Sequence, residues 1–130
     1  MTIDRGDYHF EDAQTWERSC RHIGLFLWWA SERGLASEDH HPAVLRCGAT
    51  EHIILQCDTK LWVEDLNDAG NAFAEAAYDS YLGAVTEYAG QLGVGDYDIP
   101  EADATTTYFF AWLDRRLAEF TLSNVSPTDN

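Results

Sequence analysis

The side chains of this chain that could ligate a metal or move a proton are five histidines, three cysteines and 23 carboxylates. Their spacing decides whether any set can act together. His40, His41, Cys47, His52 and Cys57 are the zinc candidates, but none forms a C-x-x-C or H-x-x-x-H pair. Adjacent His40 and His41 point to different faces, and Cys20, Cys47 and Cys57, odd in number, suit reduced thiols packed as small apolar groups. Asp65, Asn67, Gly70 and Glu75 resemble the start of a calcium loop. An EF-hand opening at Asp65 needs an oxygen ligand at its fifth position and a carboxylate at its twelfth, where Ala69 and Ala76 stand, so Asn67 or Asp68 is read as a helix cap instead. Cys20 and His22 lie two apart on one helix and do not face each other, which makes His22 a core histidine bonded to a neighbouring element. No G-x-G-x-x-G, P-loop or G-x-S-x-G occurs, and the glycines at Gly90, Gly93 and Gly95 have no basic residue beside them to meet a phosphate. Paired carboxylates are too common among 23 to single out a glycosidase or protease pair. Catalytic, cofactor-binding and metal-binding residues are therefore all assigned as none, and no cofactor is expected.

What the carboxylates do form is a field of one sign. Between Leu61 and Asp114 there is no Lys or Arg, yet eleven acids: Glu64, Asp65, Asp68, Glu75, Asp79, Glu87, Asp96, Asp98, Glu101, Asp103 and Asp114. Such a surface repels nucleic acid and anionic lipid and speeds encounter with a basic partner; the plainer reading is solubility. Trp62, placed in a turn beside Lys60, the one lysine, could anchor an interface. The expected partner-binding set is Trp62, Glu64, Asp65, Asp68, Asp79, Glu87, Asp96 and Asp98.

A composition 45% hydrophobic and 13% aromatic supplies the burial that disordered acidic chains lack, so residues 1–130 are expected to form one mainly α-helical domain. The stretch from Thr15 to Arg33 repeats Trp16, Cys20, Ile23, Leu27 and Ala30 at helical spacing, with Gly34 at the C-cap. Leu25, Phe26, Trp28 and Trp29 widen its apolar stripe around most of the circumference, which places this helix at the centre of the fold with both tryptophans in the core. Gly24 in its middle reads as a point of close backbone approach. Ser37 is expected to cap a short helix ending at Gly48, and Thr50 another from Glu51 to Cys57, with a strand as the competing assignment there. A long helix follows from Asn67 to Ala89, which Gly83 could bend or split; the loop from Gly90 to Pro100 leads to a last helix from Asp103 to Phe120. The polar tail from Ser123 to Asn130 should fray. Neither a secretory signal nor a membrane span is read from the chain, and a cytoplasmic location is expected.

Two stretches, His22-Ile23-Gly24-Leu25-Phe26-Leu27-Trp28-Trp29-Ala30 with Gly34-Leu35, and Cys57-Asp58-Thr59-Lys60-Leu61 continuing through Glu64-Asp65-Leu66-Asn67 to Gly70-Asn71-Ala72-Phe73-Ala74 and Tyr78, resemble an uncharacterised bacterial domain family. Its members are often encoded near secreted or contact-dependent toxins. The likeness extends more loosely to Tyr8 through Trp16, and Asp-Leu-Asn-x-x-Gly-Asn-x-Phe is its most specific part. Ala77 departs from the pattern, standing where a second aromatic beside Tyr78 is usual. The resemblance implies an immunity-like binding protein and brings no catalytic residues; together with the anionic surface, which suits a basic partner and disfavours nucleic acid and membrane, the expected role is a protein that neutralises a cognate, basic protein toxin. A small enzyme or a metal-dependent regulatory protein is the alternative class.

Overall fold

In the computed structural model, which describes residues 1–123, helices dominate. The long apolar helix of the middle sequence is α2 (Trp16–Glu32), numbered after a short N-terminal helix α1 (Gly6–Ala13). Thr15 caps α2 by accepting the Arg18 backbone N–H, and beyond Arg33 the chain leaves through Gly34 in the left-handed region. There Leu35 N–H reaches back to the Ala30 carbonyl, closing a Schellman turn. Cys20, Ile23, Phe26, Leu27, Trp29 and Ala30 are buried along α2. Trp28 is half-buried, its ring edge-on to Phe110 and its indole N–H on Glu32.

Where two short helices are expected, one kinked helix stands, α3 (Pro42–Gln56), broken only at Gly48. Ser37 caps nothing. Its backbone N–H pairs with the Asp65 carbonyl, Ala36 bridges to Leu66, and the helix starts with Pro42 at its first position after an extended His41. The kink follows from packing. A Cβ on Gly24 would sit 2.8 Å from the Thr50 nitrogen and 2.9 Å from the Ala49 carbonyl carbon, so the bent backbone of α3 rests directly on α2 at its one glycine.

Three elements escape sequence reading, both strands and the N-terminal helix. Strand β1 (Thr2–Arg5) pairs antiparallel with β2 (Lys60–Trp62), with an irregularity between Thr2 and Asp4. Each strand is too short to show a period. Trp62, expected in a turn, therefore sits at the end of a strand. Helix α1 buries little besides Gly6 and Ala13, leaving Tyr8 and Phe10 exposed, so it carries no apolar stripe to read.

Past a single 3-10 turn (Val63–Asp65), α4 (Asp68–Leu92) runs through Gly83 without a break and ends at a left-handed Gly93. Helix α5 (Asp103–Ser123) extends three residues past Phe120. Tyr81 and Phe109 pack edge to face beside Phe26, closing the core between α2, α4 and α5. The result is a mainly α single domain around a buried central helix. Among the described residues no helix is long and apolar enough to cross a membrane. Of the tail expected to fray, Ser123 still belongs to α5, and the rest lies outside the described residues.

Candidate functional site

The acids of the anionic segment divide into two groups. Asp98 pairs with Arg18, Asp96 accepts the Thr86 hydroxyl, and Asp114 takes the Arg33 guanidinium at 2.7 and 2.9 Å together with the Trp29 indole N–H. These acids staple the loop over residues 93–102 and α5 onto the rest of the domain. Asp65 is buried: its carboxylate accepts the Trp62 backbone N–H at 2.8 Å and the His40 ring at 2.8 Å, which corrects its placement on an open surface. Trp62 is half-buried and donates its indole N–H to the Cys57 carbonyl. Glu64 is exposed, 3.9 Å from the N-terminal amine. Asp68, Glu75, Asp79 and Glu87 are exposed on α4 and touch no cation among the described residues. With about 100° per residue, Asp68, Glu75 and Asp79 fall within about 40° of one another, and Glu87 lies a quarter-turn away.

A second constellation, invisible to spacing, centres on Asp4. This buried carboxylate accepts from His22 Nε2 at 2.9 Å, His9 Nε2 at 2.8 Å, the Tyr78 hydroxyl at 2.6 Å and the Arg5 backbone N–H at 2.7 Å. Burial alone would raise its pKa; the bonds from His22 and His9, the charge of His22 and the Tyr78 bond outweigh it and hold the carboxyl well below the usual range. The bond to Asp4 in turn raises His9. His22 is thus the bonded core histidine expected. With Nε2–H on Asp4, a neutral His9 accepts the Tyr97 hydroxyl at Nδ1 (2.7 Å), giving a Tyr–His–Asp chain. Tyr97 is a poor nucleophile there, because burial and then Asp12, Asp96 and Asp4 all push its phenol up.

Tyr97 and His22 also line a cavity of about 130 Å³ between α2, α3 and α5, with Leu25, Trp28 and Phe109 as apolar wall. Arg18, Arg21 and Arg46, three of the chain's eight basic side chains, reach the same cavity. Arg18 and Arg46 are neutralised by Asp98 and Glu32. Arg21 donates to the Ile99 carbonyl at 2.6 Å, while its Nε and the Thr105 hydroxyl are buried without a partner among the described residues.

The third constellation revises the reading of the histidines and cysteines. His40 Nδ1 and His52 Nε2 lie 2.9 Å apart, and with the Cys57 sulfur they form a group whose ligand atoms are all within 4.8 Å of one another. Spacing missed this set because His40 comes from the loop before α3, His52 from its last turns and Cys57 from its C-cap. Burial, and then Asp65, push the Cys57 thiol up to about 12; burial and then His40 lower His52. His41 points outward, and Cys47, expected to pack among apolar neighbours, is exposed; all three cysteines are free.

Comparison with known families matches residues 2–101 to the family described as Domain of unknown function (DUF7832). The chain belongs to the DUF7832 family. No curated protein and no solved structure matches it. In this DUF7832 domain, the two motif stretches have structural roles. Asn67 caps α4 by accepting the Gly70 N–H while its amide donates to the Gly34 carbonyl. The Asn71 amide donates to the Val63 and Leu66 carbonyls, Gly70 packs on the Leu35 carbonyl, and Phe73 is buried against Trp29. The His22-Ile23-Gly24 stretch supplies the Asp4 bond and the contact with α3. Both motifs hold elements to one another.

Proposed function

We propose that this DUF7832 domain is a cytoplasmic immunity-type protein that neutralises a basic protein toxin. The observation that carries the reading is the row of Asp68, Glu75 and Asp79 along one face of α4, exposed acids that take part in no ion pair among the described residues, whereas Asp98 and Asp114 of the same acidic segment are held by arginines. A row of unpaired charge on a rigid helix favours encounter with a cationic surface and disfavours nucleic acid and anionic membrane. Glu64 and Glu87 border it, and half-buried Trp62 supplies an apolar contact near its start. Co-expression tests this: the chain should rescue growth of cells producing the basic C-terminal domain of a secreted protein encoded beside it. Asp68→Lys with Asp79→Lys should remove the rescue while leaving the helical spectrum intact; equal rescue by the doubly reversed protein would refute the surface.

A second reading, a small enzyme or binding protein for an organic anion, is favoured by the cavity with its unpartnered Arg21 Nε and Thr105 hydroxyl. Unpaired buried polar atoms of this kind are what a carboxylate would satisfy. Aromatic carboxylates that raise the melting temperature of the wild type, but not of Arg21→Ala, would support it.

A further inference from the structure

We propose that His40, His52 and Cys57 form a binding site for a zinc-class transition-metal ion, with Asp65 as the group that orients His40. The set is two imidazoles and a thiol, a ligand type that selects zinc and its neighbours over magnesium or calcium, which require oxygen. Tetrahedral coordination at zinc–nitrogen and zinc–sulfur distances of about 2.0 and 2.3 Å would put the ligand atoms roughly 3.3 to 3.6 Å apart. The present atoms, 2.9 Å apart for the two nitrogens and within 4.8 Å for the whole set, reach that spacing by side-chain shifts of about 1 Å.

The tautomers favour the site. His40 places Nε2 at 2.8 Å from Asp65 Oδ1, which fixes the hydrogen on Nε2 and leaves the Nδ1 lone pair facing His52 and Cys57. Carboxylate–histidine–metal triads have this arrangement. Asp65 is itself fixed, since its second oxygen accepts the Trp62 backbone N–H at 2.8 Å. Without metal, His52 must donate from Nε2 to His40; on binding, its hydrogen moves to Nδ1 and Nε2 becomes a ligand. The Cys57 thiol releases one proton to solvent and the thiolate takes the metal, so the step balances as Zn²⁺ exchanged for H⁺. Water completes the fourth position. His52 also lines an open depression with Val44, Gly48, Glu51 and Leu55, which provides the ion's entry. The other grouped set, Asp4, His9 and His22, is a weaker candidate because its carboxylate already accepts bonds from both rings and from Tyr78.

The site would clip the loop before α3 to that helix's C-terminus and, through Asp65, to the turn before α4. Its test uses tag-free protein stripped with a chelator and titrated with Zn²⁺, and with Co²⁺ read by its thiolate charge-transfer absorption. One ion per chain is expected, with a cobalt spectrum showing a sulfur ligand and a raised melting temperature. His52→Ala and Cys57→Ser should abolish stoichiometric binding, and Asp65→Asn should weaken it about 10- to 100-fold. His41→Ala and Cys47→Ser, which alter exposed neighbours, should bind as the wild type does. Stripped wild-type protein that takes up no zinc, or uptake that survives both His52→Ala and Cys57→Ser, would overturn the assignment.

Discussion

Asp4 shows how one buried carboxylate can matter more to this fold than a row of exposed ones. Its oxygens gather β1, α1, α2 and α4 through His9, His22 and Tyr78. Asp4→Asn would give the histidines an amide that cannot replace both acceptor oxygens, and should destabilise by about 3 to 5 kcal/mol in urea unfolding. A loss below about 1 kcal/mol would show the cluster to be incidental. The pH dependence follows from two opposite shifts. Asp4 has a folded pKa below its ordinary value, so its contribution is present at neutral pH and is lost as pH falls from about 4 toward the folded value. His9 is raised, so its contribution is complete below about 6.5 and is lost as pH rises through the higher folded value. Melting temperature should therefore fall on both sides of a mildly acidic optimum, with the alkaline limb flattened in His9→Gln. Sequence spacing could not show this cluster, because residues 4, 9, 22 and 78 meet only when β1 pairs and α4 returns across α2. His22 alone was legible, as a polar residue inside an apolar stripe.

At the level of elements, packing rests on small residues at defined places. Gly24→Ala should cost about 1 to 3 kcal/mol, because the added methyl meets the backbone of Ala49 and Thr50, which cannot rotate away. Asn67→Ala should cost about 1 kcal/mol for the lost cap of α4. Gly83→Ala, with open space around the site, should instead stabilise slightly. Chemical denaturation of the three variants separates these outcomes, and equal stability of Gly24→Ala and Gly83→Ala would contradict the packing account. The long elements were legible because α2, α4 and α5 each repeat apolar residues over many turns. Gly24 was legible too, as a helix-breaking residue with no other purpose in an apolar run. The two strands and α1 were not, since pairing of three or four residues is decided by partners far along the chain. Ser37 misled for a related reason: its backbone bonds to Asp65 instead of starting a helix.

Over the whole molecule the formal net charge is −15 at pH 7, and the acids that fold the domain are distinct from those along α4. Mutual repulsion along that helix should make the protein more stable in salt, with the melting temperature rising between low and moderate sodium chloride; a fall would mean that internal ion pairs dominate. The acidic segment was legible as a charge pattern, but its division was not, because Asp65, Asp96, Asp98 and Asp114 find partners from other elements. The most direct measurement of the proposed role is association kinetics with the basic C-terminal domain of a neighbouring secreted protein, at low and high salt, for the wild type, Asp68→Lys and Asp79→Lys. Each reversal should slow association, weaken its salt dependence and leave dissociation nearly unchanged. Association rates that match the wild type at both positions and both salt concentrations would contradict the claim that this face meets the partner.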